Sequence, residues 1–485
     1  MLRPGKTSFL VLALLSLTTA VPALELEDCR ISAGEAFPSL KARCGTLSRP
    51  ENPEDPDSPR ITLRVAVVPA LNLEPMPDPV VPIAGGPGQG AVEFYAGTSG
   101  AFEHLRRDRD ILLVDQRGTG ESSRLSCPTD DDLADSTLST EEIVAYSTDC
   151  LEALPHDPRY FTTSVAVGDL EAVRAALGYP ALNLYGISYG SRVAQHYARR
   201  YPSTTRTVVL DGVVPPQLPL GPEIATESQA AIDRIFARCA EDPDCNERFP
   251  DLSARFAALR AQLERRPVRV KSANPVTGAF DTVTFGNAEL AAALRLMAYN
   301  ARTIALVPLL VHEAANGNYR PLVAHFQMNT VAIADAMALG MHNAVMCSED
   351  VPFYSDDLID DAALAESYMG PLQLEALEAI CSAWPAGVVD PDLHTPLATD
   401  APVLLLSGDA DPITPPRYAD MAAINLKKAW LLTGHHQGHG QITVGCMPRL
   451  VAEFVNAADL TDVDTACMEK NFVMPFFLDY GGPAP

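Results

Sequence analysis

At 485 residues the chain is long enough for two to three domains with a sizeable core. It carries 62 acidic against 36 basic side chains, a formal charge of −26. Such a surface repels nucleic acid and anionic membrane, so neither is expected as a partner.

The first residues read as a secretory signal over residues 1–23. Arg3 and Lys6 give a positive start, Phe9–Leu17 forms the apolar stretch, and Ala20 or Val21-Pro22-Ala23 offers small-residue cleavage sites. That stretch is too short to span a bilayer, and nothing later approaches the ~18 uninterrupted apolar residues a span needs, so no stable membrane insertion is expected. An exported protein, periplasmic or secreted, is the expectation. The ten cysteines all lie beyond this leader and fall in sequence-near pairs: Cys29/Cys44, Cys127/Cys150, Cys239/Cys245, Cys347/Cys381 and Cys446/Cys467. Local bridges in that order suit an oxidising compartment. Paired C-x-x-C elements are missing, which argues against zinc.

Residues Leu24–Pro59 read as an irregular lead-in, with a Cys29/Cys44 loop and a run rich in Pro, Glu and Asp. Ile61–Val68 alternates as an outer strand. Val80–Ala84 is a more buried strand running into Gly85-Gly86-Pro87-Gly88-Gln89-Gly90, and Asp110–Val114 continues into Asp115-Gln116-Arg117-Gly118-Thr119-Gly120. Asp169–Leu177 has amphipathic helical spacing. Leu182–Tyr185 is a short strand, followed by Gly186-Ile187-Ser188-Tyr189-Gly190 and then by Val193, Ala194, Tyr197, Ala198 and Tyr201 at helical spacing, with Pro202 as a stop. Thr207–Leu210 is the next strand, ending in Asp211-Gly212.

The character then changes. Residues 215–396 are mostly alanine- and leucine-rich, with helices predicted over Ser228–Ala240, Leu252–Leu263 and Ala288–Ala301. This reads as a helical cap inserted between a first core part, 24–214, and a C-terminal core part, 397–485. Pro402–Ser407 and Ala429–Thr433 return to strand. Strands alternating with helices predict an α/β fold, a mostly parallel sheet bearing a large helical cap insertion. No nucleotide-binding fingerprint occurs.

Strand, tight turn and helix around G-x-S-x-G is the context of a nucleophile elbow, which makes Ser188 the candidate nucleophile. A serine nucleophile needs a base, an orienting acid and an oxyanion hole. Ser407-Gly408-Asp409-Ala410-Asp411-Pro412-Ile413-Thr414-Pro415 follows a buried strand and supplies Asp411 as the acid, with Asp409 read as a brace for the turn. Gly434-His435-His436-Gln437-Gly438-His439-Gly440 follows the last strand and supplies His439 as the base, with His435 and His436 as alternatives. The Tyr189 N–H and one from the glycine loop, Gly86, are the candidate oxyanion donors. No metal or organic cofactor is implied.

Taken together, GGPG, DQRGTG, G-x-S-Y-G, S-G-x-x-D-P-x-T-P and the final G-H-G resemble the α/β-hydrolase fold serine peptidases of the proline iminopeptidase and tripeptidyl aminopeptidase group. The resemblance implies release of amino acids or short peptides from free N-termini, with Ser188, Asp411 and His439 as the triad and Asp115-Gln116-Arg117-Gly118 as a structural brace. Many relatives place His before GGPG, where this chain has Ala84, and the Glu-rich cap motif of proline iminopeptidases is not evident. Met346-Cys347-Ser348-Glu349-Asp350 instead resembles a C-x-[DE] segment of the secreted branch. That points to Glu349 or Asp350 as a partner for a peptide ammonium group, the alternative being two solvated acids beside a disulfide. Two other functional readings stay open: an esterase or lipase using the same triad, and a non-catalytic binder on a hydrolase scaffold.

Overall fold

The computed structural model describes residues 24–34, 37–128, 139–275, 277–470 and 473–483; the expected signal, 1–23, lies outside the described residues. The centre is a nine-stranded sheet in the order β1-β2-β3-β5-β4-β6-β7-β10-β11. Its strands are β1 Glu27–Ile31, β2 Leu40–Pro50, β3 Arg60–Val68, β4 Met76–Ile83, β5 Arg109–Val114, β6 Leu182–Ile187, β7 Thr205–Asp211, β10 Val403–Gly408 and β11 Ala429–Gly434. From β5 across to β11 every pairing is parallel, and β1, β2 and β3 add an antiparallel flank.

That flank corrects two expectations. Leu24–Pro59 is not irregular, because β1 and β2 form a hairpin closed by Cys29–Cys44. Nor is Ile61–Val68 an outer strand, since β3 pairs with β2 on one side and β5 on the other. The signal is hidden because β2 lies towards the sheet's edge and keeps Lys41, Arg43 and Leu47 exposed or half-exposed, so it shows little apolar alternation.

Parallel strands buried on both faces need apolar side chains pointing both ways. Leu184 on β6 joins Val208, Leu405, Val193 and Tyr197 on one face, under the helices Thr163–Leu177 and Tyr189–Arg200. Its neighbour Tyr185 joins Val209, Leu404, Phe102 and Phe454 on the other, under the helices Ala91–Thr98 and Met447–Ala457.

The long insertion carries its own apolar cluster, with Ile232, Phe236, Phe256, Leu294, Leu310 and Leu322 at its heart. Helices cover the predicted Ser228–Ala240 and Leu252–Leu263 as Ile224–Glu241 and Leu252–Arg265. An unpredicted hairpin, β8 Val268–Ala273 with β9 Phe280–Phe285, lies among them. The helix expected over Ala288–Ala301 ends at Met297, and Asn300 starts a new turn by accepting the Arg302 N–H at 2.9 Å. Ala338, Met341, Val345 and Leu397 pack in the sheet's cluster with Leu184, whereas Leu364, Tyr368 and Leu374 between them lie in the insertion's own cluster. Phe476 from the C-terminal segment crosses back into the cap cluster, under the Arg238 guanidinium. All five expected disulfides are present, with no free cysteine. Among the described residues no helix is long and apolar enough to cross a membrane.

Candidate active site

Every part of the candidate site stands at the carboxyl edge of the parallel strands. β6 delivers Ser188 at φ 55°, ψ −129°, a positive φ that a non-glycine residue adopts only under strain of roughly 1–3 kcal/mol. The Ser188 N–H donates to the Asp211 carbonyl at 2.8 Å, and the Ser188 carbonyl accepts from Ser191 N–H at 2.8 Å, which holds the turn. Glycine is needed on both sides: a Cβ at Gly186 would collide with the Gly190 carbonyl, and one at Gly190 with the Ile83 carbonyl.

The glycine loop after β4 lies directly against the serine. A Cβ at Gly85 would sit 2.9 Å from Ser188 Cβ and 3.5 Å from its Oγ. The insertion pins this loop from above, since the Ala338 N–H donates to the Gly88 carbonyl at 3.0 Å and Met337 Cε fills the space beside Gly86. Tyr189 opens the helix after the elbow, so its N–H has no intrahelical acceptor. Its hydroxyl is anchored away from the turn by Gln116 Nε2 at 3.0 Å and Thr163 Oγ1 at 2.6 Å.

Asp411 and His439 come together. Asp411 Oδ1 accepts from the Ile413 and Thr414 N–H groups, and Oδ2 lies 2.7 Å from Thr414 Oγ1 and 2.8 Å from His439 Nδ1. Burial opposes ionisation of Asp411, but the imidazole and the donated hydrogen bonds hold its carboxyl below the usual range. Burial likewise disfavours the imidazolium, yet the charges of Asp411 and Asp211 raise His439 above its ordinary value. Gly212, at the end of β7, abuts the imidazole: a Cβ there would sit 2.9 Å from His439 Cε1. Asp409 braces the same loop, accepting from the His436 N–H at 2.6 Å and pairing with His435 Nδ1 at 2.8 Å. The His435 side chain is 85% exposed and stands apart from Asp411.

Three residues of this region have no role in the sequence reading. The buried carboxylate of Asp211 accepts from the Gln441 and Ile442 N–H groups and from the Tyr185 hydroxyl, tying down the chain just past His439. Asp211 is visible as a strand-end acid, but nothing local announces its partners. Tyr299 reaches in from the cap, where its carbonyl accepts the His439 N–H at 2.9 Å. Thr163 ties the elbow to the acid pair. A cavity of about 540 Å³ opens beside His439, lined by Tyr299, Arg302, Gln437, Thr443 and Met474.

Glu349 and Asp350 are fully buried in a π-helical turn, Met346–Asp350, so the picture of two solvated acids does not hold. Glu349 accepts from the Thr163 N–H at 2.6 Å and from its hydroxyl at 2.7 Å. Asp350 Oδ1 accepts from Arg192 Nη1 at 2.8 Å and from the Leu220 N–H at 2.6 Å, whereas the buried Oδ2 has no partner. Burial pushes the Glu349 carboxyl up to about 7, against the lowering pull of Arg192 and Thr163. The DQRG stretch braces as expected. Arg117 forks onto Asp169 at 2.7 and 3.0 Å, and Asp115 accepts from the Val92 and Glu121 N–H groups.

Against known proteins, a family model described as alpha/beta hydrolase fold matches residues 78–434. The chain is 29% identical over 243 residues to the serine protease Hip1 of Mycobacterium tuberculosis (strain H37Rv), covering 46% of each chain. It is 30% identical over 148 residues to the tripeptidyl aminopeptidase of Streptomyces lividans, covering 27% of this chain and 28% of that one. A third relative is the carboxylesterase B of Mycobacterium tuberculosis (strain CDC 1551), 30% identical over 245 residues and 46% of each chain. The chain thus spans about half, or less, of the length of these curated relatives.

Proposed function

The chain belongs to the alpha/beta hydrolase fold family, and on that premise we propose that it is an exported serine peptidase removing amino acids or short peptides from free N-termini. The observation that carries the catalytic part is the 2.8 Å contact of Asp411 Oδ2 with His439 Nδ1, at the edge where strained Ser188 is displayed. In this reading His439 Nε2 takes the Ser188 hydroxyl proton as Oγ attacks the scissile carbonyl. Asp411 fixes the tautomer and supports the imidazolium, and the N–H groups of Tyr189 and Gly86 hold the oxyanion. The proton passes to the leaving amine, and water then releases the acyl group from the serine.

Preference for a free amine is supported by the charge balance beneath the elbow. Among the described residues Arg192 pairs with Asp350 while Glu349 is held by Thr163 alone, and Asp350 Oδ2 lacks a hydrogen-bond donor. An ammonium group would supply both the missing charge and the missing donor. The bridged cysteines support an oxidising location.

The test pairs chromogenic mono-, di- and tripeptide amides with their N-acetylated twins and a short-chain nitrophenyl ester, with Ser188→Ala as background. Cleavage of free-amine peptides alone supports the proposal, and the best length names the subtype. Ester turnover without peptide turnover would replace it with an esterase. A protein that fluorophosphonate leaves unlabelled would be a binder.

A further inference from the structure

The cavity of about 540 Å³ beside His439 has one permanent cation and no carboxylate among its lining residues. The cation is Arg302, and Asn300, Gln437 and Thr443 add neutral polar groups. In a chain with 62 acidic side chains against 36 basic ones, a cavity free of acids departs from the average surface. Arg302 is exposed, and among the described residues its guanidinium has no hydrogen bond, ion pair or ring partner. Its backbone is fixed. Asn300 Oδ1 accepts the Arg302 N–H at 2.9 Å, and Thr303 Oγ1 donates to the Met297 and Asn300 carbonyls at 2.6 and 2.9 Å. The Tyr299 carbonyl, just before this turn, accepts the His439 N–H. Arg302 follows three residues later, so even an extended chain would keep its Cα within ~11 Å of that of Tyr299.

His439 and Gly440 line this cavity, whereas Ser188 and the glycine loop do not. In acyl transfer the imidazolium hands its proton to the leaving amine, so the part of a substrate beyond the cut lies against the imidazole. The cavity is therefore on the leaving side, and its volume falls within the ~300–1,000 Å³ of small-ligand sites.

We propose that Arg302 binds a substrate carboxylate on the leaving side, about one to three residues beyond the scissile bond, the span that ~11 Å of extended chain covers. This rests on the peptidase reading and narrows its substrate class. A guanidinium gives a carboxylate charge-assisted, forked hydrogen bonds that it cannot give a neutral amide. Two sources present that group: the free C-terminus of a short leaving peptide, and an Asp or Glu side chain just after the cut.

The experiment uses the full-length protein and free-amine peptides that differ only beyond the cut. One arm compares a free C-terminal acid with its carboxamide at increasing spacing from the cut. The other compares Asp and Glu with Asn and Gln at the same positions in amidated peptides. At least one arm should show a preference for the anion of ~5-fold or more in kcat/KM at short spacing, fading as the spacing grows. The responding arm identifies the source. Arg302→Met should bring that ratio towards one, Arg302→Lys should keep part of it, and Arg302→Glu should invert it. Calorimetric binding of the same pairs to Ser188→Ala reads the discrimination without turnover, and adding Arg302→Met should abolish it. Equal handling of anion and amide in both assays, or a preference that survives Arg302→Met, overturns the assignment. Discrimination in binding that Arg302→Met abolishes, with no peptide turnover by the wild type, would fault the peptidase reading alone.

Discussion

The ring of Tyr299 meets that of His439 edge-on, with centroids 5.0 Å apart, while the Tyr299 carbonyl accepts the His439 N–H. Tyr299 thus supports the histidine loop through both its ring and its backbone. Tyr299→Ala should lower kcat by roughly 10-fold, since small misplacements of a base are felt strongly. Tyr299→Phe keeps the edge contact and should retain most of kcat. Steady-state kinetics on one good substrate separates the two.

Asp411→Asn should keep the fold and lower kcat by about 10⁴, because an amide supports the wrong imidazole tautomer and leaves the imidazolium without its counter-charge. An active-site titration showing intact Ser188 and near-normal turnover would remove Asp411 from the machinery.

The pH profile has a definite sign. In the proposed mechanism His439 must be neutral to accept the serine proton, and its pKa is raised above the ordinary 6.5. The acid limb of kcat/KM should therefore fall as pH drops through a value above 6.5. The residual activity of Asp411→Asn should show this limb at lower pH, because a charge that raises the pKa has gone.

Glu349 has the opposite consequence for stability. Its pKa of about 7 lies above the unfolded value of 4.5, so the folded state holds the extra proton between them. The associated stability is complete below pH 4.5 and is lost as pH rises through about 7. Glu349→Gln, which mimics the protonated form, should be more stable than wild type at pH 8 by roughly 1–3 kcal/mol, with the gain vanishing towards pH 5. Thermal melts at the two pH values check this.

Backbone strain at Ser188 predicts a trade between activity and stability. Ser188→Gly and Ser188→Ala should both lose activity, but glycine alone accepts φ 55° without penalty. Relief of ~1–3 kcal/mol exceeds the ~0.5–1 kcal/mol by which glycine loosens the unfolded chain, so Ser188→Gly should melt highest of the three proteins. Equal melting points for the glycine and alanine variants would show that the turn is relaxed.

Legibility in the sequence follows the range of the interactions. The elbow, Asp411 and His439 are written in short motifs because each depends on a turn that its own neighbours build. The helix expected through Ala301 breaks at Asn300 because that side chain caps a new turn, and the break frees the Tyr299 carbonyl for His439. The fate of Glu349 and Asp350 is hidden because their partners, Thr163 and Arg192, lie far away in the chain. The β1–β2 hairpin escapes notice because its half-exposed strand lacks a clear alternation.

The disulfides join each cysteine to the next one along the chain, with separations of 6 to 34 residues. A polypeptide delivered N-terminus first into an oxidising medium therefore never has more than one thiol awaiting its mate. The right partner is always the first to arrive, and maturation needs no reshuffling of mismatched pairs. None of the bridges joins the insertion to the sheet, so reduction would loosen each unit from within while leaving the hydrogen bonds and the Arg192–Asp350 ion pair that link them untouched.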